Sequence, residues 1–297
     1  MEIARIAIVV LQISIFLAVC SLGMHAQPSD VTQLFRRPSL LVRSLLAMNI
    51  VMPLLAVLMA AAFNLTPAVK VALILVSLSP VPPLLHQQQL KLGARQSYVD
   101  GLLMLEAALA VILVPLSIAF IAWMFGRNVA LSPSVVAKVA VMTILLPLAL
   151  GMLIRRFAIQ HAQRISAPLA MLAILLVLIS SIVLVVAVFP YLIRELGNGT
   201  LLAICAFVIV GLAVGHWLGG PESGDRSALA LATAARHPGL AIAIAVASFP
   251  AQRRSIAAAI LLYLLARTVV MLPYFAWRKR NLAAKLGRSE VQQERAA

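Results

Sequence analysis

Two polar residues and a helix-breaking pair stand together in the middle of an apolar segment. The segment covers residues 226–250, and its centre reads Arg236, His237, Pro238 and Gly239. An arginine near the bilayer midplane is costly unless a partner, water or a cavity receives it. The Pro-Gly pair favours a helix break, and broken helices at that depth occur only where they are buried in protein or line a cavity. The segment therefore predicts a polar site inside a membrane protein, of the kind that a transporter needs.

A second apolar segment, residues 68–90, is interrupted in a similar way. Pro80, Pro82 and Pro83 follow Ser79 near its middle, and a helix cannot continue through them because several backbone acceptors lose their donors. Two interrupted spans indicate a carrier whose site lies between discontinuous helices. The half-helix that follows each break presents free N–H groups, and these suit an anionic group.

The composition is that of an integral membrane protein. Hydrophobic residues make up 63% of the 297-residue chain, only 11% of residues are charged, and the mean hydropathy is +1.05. So few charges could not cover a water-facing surface. The net charge of +15 comes from basic residues in short loops, which predicts orientation in a membrane and no nucleic-acid partner. Both cysteines lie in apolar runs, so the sequence predicts no disulfide framework, metal site or cofactor.

Hydrophobic segments long enough to cross a membrane follow one another along the chain. A helix needs roughly 20 residues to cross the hydrocarbon. The sequence predicts an all-α integral membrane protein with nine such helices in a single membrane domain. The predicted spans are residues 6–24, 40–63, 68–90, 98–125, 134–154, 166–190, 199–218, 227–250 and 255–277.

Lysine and arginine are unevenly divided between the two sets of loops. Roughly twice as many lie on the side of the C-terminus, where Arg36, Arg95, Arg155 and the basic tail (residues 278–297) are found. Basic loops stay in the cytoplasm, so the tail is predicted to be cytoplasmic and, after nine crossings, the N-terminus to be outside. We expect the protein in the inner membrane of the cell.

The two interrupted spans hold equivalent places in two groups of three spans. The first group begins at the predicted cytoplasmic face and the second at the outer face, so the groups form an inverted repeat. The repeat is inferred from hydropathy and from the breaks, since the two halves share almost no residue identity. The groups are residues 40–63, 68–90 and 98–125, and residues 199–218, 227–250 and 255–277.

Four stretches carry a family resemblance: SLGMHAQPSDVTQLFRRPSLLV, NIVMP, the Ser79-Pro80 break and ATAARHPGLAIAIA. Through them the chain resembles the bile acid:sodium symporter superfamily, from about Val9 to Trp277. The resemblance implies secondary transport of an organic anion, often coupled to sodium, by a nine-span member that lacks the usual first helix. It also implies a core domain with two crossing broken helices, beside a panel domain. The core would comprise residues of about 40–125 and 199–277, and the panel residues 6–24, 134–154 and 166–190.

The chain departs from the sodium-coupled members of that superfamily. Ala232, Arg236 and Leu85 stand where those members have oxygen-bearing sodium ligands. A hard cation needs oxygen ligands, and a guanidinium at its site would repel it. We therefore expect a carrier without the usual sodium coupling, unless Asn49, Thr233 or backbone carbonyls rebuild an ion site.

Polar residues near the breaks are candidates for binding the substrate or a coupling ion. Arg236 either acts at the transport site or forms a structural pair with Glu106, the acidic residue deepest in a span. Glu106 is alternatively a site of proton coupling. His86 and His237 follow the two breaks, and each either exchanges protons or caps freed backbone groups. The further candidates are Gln87, Ser79, Asn49 and Thr233.

Two other classes of protein compete with a carrier. An intramembrane enzyme would need a nucleophile with a base or a set of metal ligands, and the spans contain no HExxH, no paired aspartates and no Ser/His/Asp cluster. A structural or sensory subunit of a larger complex would need neither two broken helices nor a midplane arginine. The sequence therefore favours a carrier for a small organic anion, with protons or another ion as a possible partner. It leaves the oligomeric state open.

Overall fold

Helices make up nearly all of the chain in a computed structural model that describes residues 2–25, 27–125 and 133–296. Every regular element in those ranges is helical, which confirms the predicted all-α membrane fold. The α-helices are α1 Glu2–His25, α2 Pro28–Phe35, α3 Pro38–Leu46, α4 Met52–Ala62, α5 Pro67–Leu78, α6 His86–Lys91, α7 Gln96–Phe125, α8 Pro133–Ala140, α9 Leu146–Phe157, α10 Ile159–Glu195, α11 Thr200–Leu218, α12 Ser223–Ala234, α13 Pro238–Ser248 and α14 Arg253–Ala296.

The number of crossings agrees with the sequence. Within the described ranges, 8 helices or helix combinations are long and apolar enough to cross a membrane. The bent pair Pro67–Leu78 and Pro83–Lys91, whose halves meet at 65°, brings the number to 9. Each predicted span corresponds to one of these crossings, and the two groups of three follow each other in the predicted chain order.

Two of the spans contain a π-helical turn just before a proline. The turns are Ala47–Val51, which joins α3 to α4, and Val141–Leu145, which joins α8 to α9. Pro53 and Pro147 follow them by two residues. Proline has no N–H to donate, and a π turn lets a helix continue past the missing donor. Both turns lie within spans that were predicted to be continuous.

Close packing of α1 against α9 depends on two glycines. A Cβ at Gly23 would collide with the backbone of Leu148, and a Cβ at Gly151 would collide with the backbone of Cys20. Small residues permit such close approach between helix backbones in membranes. Helix α1 also packs along α10, which in turn contacts α9, so these three long helices form one mutually packed group.

Two features extend beyond the predicted spans. The short helix α2, which the sequence analysis did not predict, lies between the first two spans and packs against α7. Helix α14 continues from its span through the predicted tail to Ala296 without interruption. Arg278, the first residue of that tail, is buried and donates to Ser227 Oγ over 2.7 Å and to Ser223 Oγ over 2.6 Å. These bonds tie α14 to the first turns of α12.

Candidate transport site

The two broken helices meet at their breaks. The backbone N–H of His237, which precedes α13, donates a hydrogen bond to the carbonyl of Pro80, which follows α5, over 2.9 Å. The predicted crossing of two broken helices is thereby confirmed. The first unwound stretch, residues 79–82, leads into a 3-10 turn, Pro83–Leu85, and then into α6.

The second unwound stretch lies slightly earlier than predicted, at residues 235–237. Pro238 and Gly239, which were predicted to form the break, are the first residues of α13. Proline fits that position because its fixed φ is helical and its missing N–H would have no helical partner there. His237 is the N-cap, and its Nδ1 accepts from the N–H of Leu240 over 3.4 Å. This contact is the capping role that was one of its two predicted roles.

Arg236 lies at the crossing point and is only 1% exposed. Its guanidinium donates to two backbone carbonyls on other helices, through Nη1 to Ser79 over 3.3 Å and through Nη2 to Met48. Its Nε has no hydrogen-bond partner in the described chain. A buried guanidinium therefore bridges the first break and the π turn of the preceding span.

The carbonyl of Met48 is available because of the π turn. The N–H of Met52 donates to Ala47, five residues earlier, which is the π-helical spacing. At the same spacing the donor for Met48 would be Pro53, which has no N–H. The carbonyl is left without a helical donor, and Arg236 takes its place.

Prolines free two further carbonyls in the same manner. Pro83 stands four residues after Ser79, and Pro238 stands four residues after Ala234, so neither carbonyl can receive its helical hydrogen bond. The Ser79 carbonyl accepts from Arg236, and the Ala234 carbonyl accepts from the Tyr263 hydroxyl over 2.7 Å. Buried backbone groups are nearly always paired, and side chains supply the pairs here.

Tyr263 of α14 holds the second break in shape. Its hydroxyl donates to Ala234 and accepts from the N–H of Arg236 over 2.9 Å, so one phenol serves both sides of the unwound stretch. Its ring packs edge-to-face on Phe207, with ring centroids 6.2 Å apart. Tyr263 was not among the predicted site residues. A tyrosine in the middle of an apolar span was the available signal, because a buried phenol needs a polar partner.

A second arginine stands beside the crossing. Arg267 of α14 is half-buried, and its Nη1 donates to the carbonyl of Arg236 over 3.4 Å. Its guanidinium lies 5.9 Å from the ring centroid of Tyr263.

Glu106 does not form the predicted ion pair with Arg236. The carboxylate is 2% exposed, and its Oε1 accepts from Nδ2 of Asn49 over 2.7 Å. Asn49 follows Met48 in the π turn, so the carboxylate and the guanidinium are held by neighbouring residues of one turn. The direct pair fails because the freed carbonyls of Met48 and Ser79 already receive the guanidinium, while the carboxylate has an amide donor.

Two candidate hydroxyls turn back onto their own helices. Ser79 Oγ donates to the carbonyl of Leu75 over 2.8 Å, and Thr233 Oγ1 donates to that of Leu229 over 2.7 Å. Both side chains are buried. Ser79 therefore takes part in the crossing through its backbone carbonyl, not through its hydroxyl.

His86 and Gln87 lie on α6, beyond the first break, and neither forms a hydrogen bond or an ion pair with Arg236. Nε2 of His86 is 2.7 Å from Oδ1 of Asp100 on α7, and Gln87 is exposed. Neighbouring Gln89 is buried, and its Nε2 donates to the carbonyl of Ala228 on α12 over 2.8 Å.

The structure thus brings Arg236, His237, Asn49, Glu106 and the Ser79 carbonyl to the crossing and leaves His86 and Gln87 in a separate group.

An open cavity of about 530 Å³ lies beside α13, between α1 and the π turn that follows α8. Apolar groups such as Phe16 and Val246 form most of its lining, with Gln12, Lys138 and Thr143 as its polar side chains. Such a mixture is typical of sites that bind small amphipathic molecules. The sequence analysis did not single out these residues.

Comparison with known proteins identifies one family. The family described as the sodium bile acid symporter family matches residues 12–195, which is more than half of the chain. The match includes the first broken helix, and the second broken helix lies after its end. No curated protein matches the chain.

Proposed function

This chain belongs to the sodium bile acid symporter family, and on that premise we propose that it carries a small organic anion across the inner membrane by alternating access. The protein is a multi-pass membrane protein of a transporter family, and the substrate, the mechanism and the membrane are our proposal. The observation that supports it most is the guanidinium of Arg236, buried where two broken helices cross.

A fixed positive charge at the crossing favours an anionic substrate. In the described chain, Arg236 meets carbonyl dipoles at hydrogen-bond distance and the Glu106 carboxylate only at longer range, so an anion in direct contact would stabilise it. Its Nε still has a proton to donate. Arg267 is half-buried, so it is the more accessible of the two cations. The N-terminus of α13, which begins at the crossing, adds positive partial charge.

The same contacts support transport without sodium. Backbone carbonyls are oxygen ligands suited to a hard cation, and those of Met48 and Ser79 receive the guanidinium instead. The two side chains that could help to rebuild a sodium site have other partners, since the Asn49 amide nitrogen donates to Glu106 and the Thr233 hydroxyl donates to the carbonyl of Leu229. We propose that the arginine side chain takes the role of the coupling cation.

We further propose a division into two moving parts. Helices α1, α9 and α10 pack together and would form the panel, with α8 joined to α9 by its π turn, and the two groups of three spans would form the core. The cavity beside α13 lies between α1 and α8 on one side and α13 on the other, where panel and core would slide. Lys138 is the cation in its lining. The basic loops and the tail would face the cytoplasm.

Uptake by purified protein in liposomes tests the proposal. Labelled pyruvate, benzoate and cholate cover three sizes of carboxylate, and at least one should accumulate faster than in protein-free liposomes. Arg236→Gln is the loss variant, and Arg253→Gln, an exposed arginine before the last span, is its matched control. If none of the three anions enters, and none shifts the melting temperature of the protein, the carrier proposal is wrong.

A further inference from the structure

The buried charges of the described chain do not balance. Four of the six charged side chains that are less than a tenth exposed have local partners: Asp225 pairs with Arg95, Glu195 accepts from Thr66, Arg278 binds two serines, and Glu106 is held by an asparagine. By charge, however, the six comprise four carboxylates and two guanidiniums, and Arg95 pairs with one of the carboxylates, so one carboxylate is left without a cation. An uncompensated buried carboxylate is costly, so one more positive charge would stabilise this interior.

His86 stands where that charge is needed. Its Nε2 lies 2.7 Å from Oδ1 of Asp100, and the two side chains are 16% and 4% exposed. Neither atom forms an aligned hydrogen bond in the described chain, so the two groups are held together by their distance and charge alone. The other ring nitrogen, Nδ1, lies 3.4 Å from Nε2 of Gln87, which is exposed. The imidazole ring of His86 therefore lies between the exposed amide of Gln87 and the buried carboxylate of Asp100.

Most of the other charged or titratable groups near α6 have partners of their own. Helix α6 packs against α7, α12 and the 3-10 turn before it. Tyr98 of α7 bonds with Ser44 over 2.9 Å, and the side chain of Arg226 on α12 donates to Gly220 over 2.6 Å. The charged or titratable groups on α6 and the elements packed against it, at this end, are Lys91, Arg95, Tyr98, Asp100, Asp225 and Arg226. Among the described contacts, His86 is the one base placed against Asp100.

We propose that His86 and Asp100 form a proton-binding site through which a proton accompanies the transported anion. A hydronium ion gives its proton to the imidazole and leaves as water, so the pair changes from a net charge of minus one to neutral. The change adds a positive charge to the same broken helix that meets the anion at the crossing. The inference rests on the proposed function for its transport role, and the proton site itself stands on the geometry of the pair.

Helix α6 has a mechanical link to the second broken helix. Gln89 lies one turn after His86, and its side chain holds the carbonyl of Ala228 on α12. A shift of α6 when the pair gains its proton therefore reaches both broken helices. The change of charge and the movement of α6 would have the same effect, because a neutral His86–Asp100 pair favours binding of the anion at the crossing.

A test without any substrate addresses the proton site. Nuclear magnetic resonance of the ¹⁵N-histidine-labelled protein in nanodiscs gives signals for its five histidines, and His86→Gln identifies the one from His86. As the sample is acidified in steps, that signal should change from neutral imidazole to imidazolium. Asp100→Asn should alter that change, because it removes the carboxylate oxygen that lies 2.7 Å from the ring. A His86 signal that stays neutral over the whole range, or that ignores the loss of Asp100, overturns the proposal.

A second test addresses coupling. Liposomes that hold a pH-sensitive dye receive pyruvate, benzoate or cholate, and uptake of label is followed in parallel. Wild type should acidify the lumen as the anion enters, and an imposed inward proton gradient should speed uptake. His86→Gln should lose both effects, while His161→Gln, an exposed histidine on α10, keeps them.

Label uptake with unchanged acidification in His86→Gln overturns the inference alone. Absence of any uptake counts against the carrier, and the resonance test then still decides the proton site.

Discussion

The guanidinium of Arg236 and the carbonyl of Ser79 join the two broken helices through a hydrogen bond of 3.3 Å. Beside it, the main chains also meet directly, through the N–H of His237 and the carbonyl of Pro80. One contact carries charge and the other does not. Substitutions of Arg236 therefore test the charge of the crossing while the backbone contact is retained.

Arg236→Gln should weaken anion binding by about tenfold or more, since about 1.4 kcal/mol of lost interaction corresponds to a factor of ten. Arg236→Lys should recover only part of the loss, because lysine keeps the charge but lacks the planar fork that reaches two carbonyls. Calorimetry with the transported anion measures both. The same affinity in Arg236→Gln as in wild type would show that the charge serves the fold alone.

Replacing sodium by potassium or choline at constant ionic strength should leave uptake unchanged, because the guanidinium occupies the carbonyls that a cation would need. Initial rates in liposomes at fixed pH and fixed membrane potential make the measurement. A steep rise with a sodium gradient would contradict the prediction and point to an ion site built from other oxygens.

Tyr263→Phe should lower the free energy of unfolding by about 1–3 kcal/mol, because the Ala234 carbonyl and the Arg236 N–H both lose their partner while buried. Denaturation in mixed micelles gives the value. Tyr191→Phe removes a hydroxyl that accepts from Arg254 at the surface, and it should change stability by less than about 0.5 kcal/mol. Equal effects in the two variants would show that the hydrogen bonds of Tyr263 to the second break add no particular stability.

Gly151→Ala should destabilise the protein by about 1–3 kcal/mol, because the added methyl group meets the backbone of Cys20 and cannot be relieved by turning a side chain. Gly197→Ala is the matched control, since nothing lies within 4 Å of the methyl group it would add. Thermal unfolding in detergent compares the pair. A melting temperature for Gly151→Ala that equals the control would mean that α1 and α9 are less tightly packed than described.

Lys138→Gln should raise KM for the transported anion by about fivefold with little effect on kcat, which corresponds to about 1 kcal/mol of lost attraction at an exposed site. The reason is its place in the wall of the cavity beside α13. Lys70→Gln, which removes a lysine outside that cavity, serves as control. If both variants behave alike, the cavity is not on the path of the anion.

The spans and breaks were predictable because they depend on local chemistry. Runs of apolar residues indicate membrane crossing. Each proline removes a helical hydrogen-bond donor whatever the surrounding fold, and this holds for Pro80, Pro82, Pro83 and Pro238. The position of the second break was shifted by two residues, since Pro238 starts a helix as readily as it ends one. The short helix α2 was missed because it lies between apolar runs and is too short to cross a membrane.

The partners of Arg236 were not predictable in the same way. Matching opposite charges suggested Glu106, yet the guanidinium binds carbonyls of Met48 and Ser79, which come from two other helices. Counting four or five residues back from each proline would have identified the freed carbonyls. Deciding which donor reaches them requires the packing of helices that are far apart in sequence, and Tyr263 illustrates the same limit.

An arginine cannot leave the carrier with its cargo. A sodium ion that enters with an anion cancels the charge of that anion, whereas the charge of Arg236 returns with the empty protein. A cycle that moves a monovalent anion alone is therefore electrogenic, and a potential of about 100 mV, negative inside, opposes uptake by about 2.3 kcal/mol. Potassium diffusion potentials imposed with valinomycin should slow uptake when the lumen is negative. Acid outside should remove that voltage dependence, because a proton bound at His86 would cancel the current, and a cycle that ignores voltage at every pH would contradict this consequence.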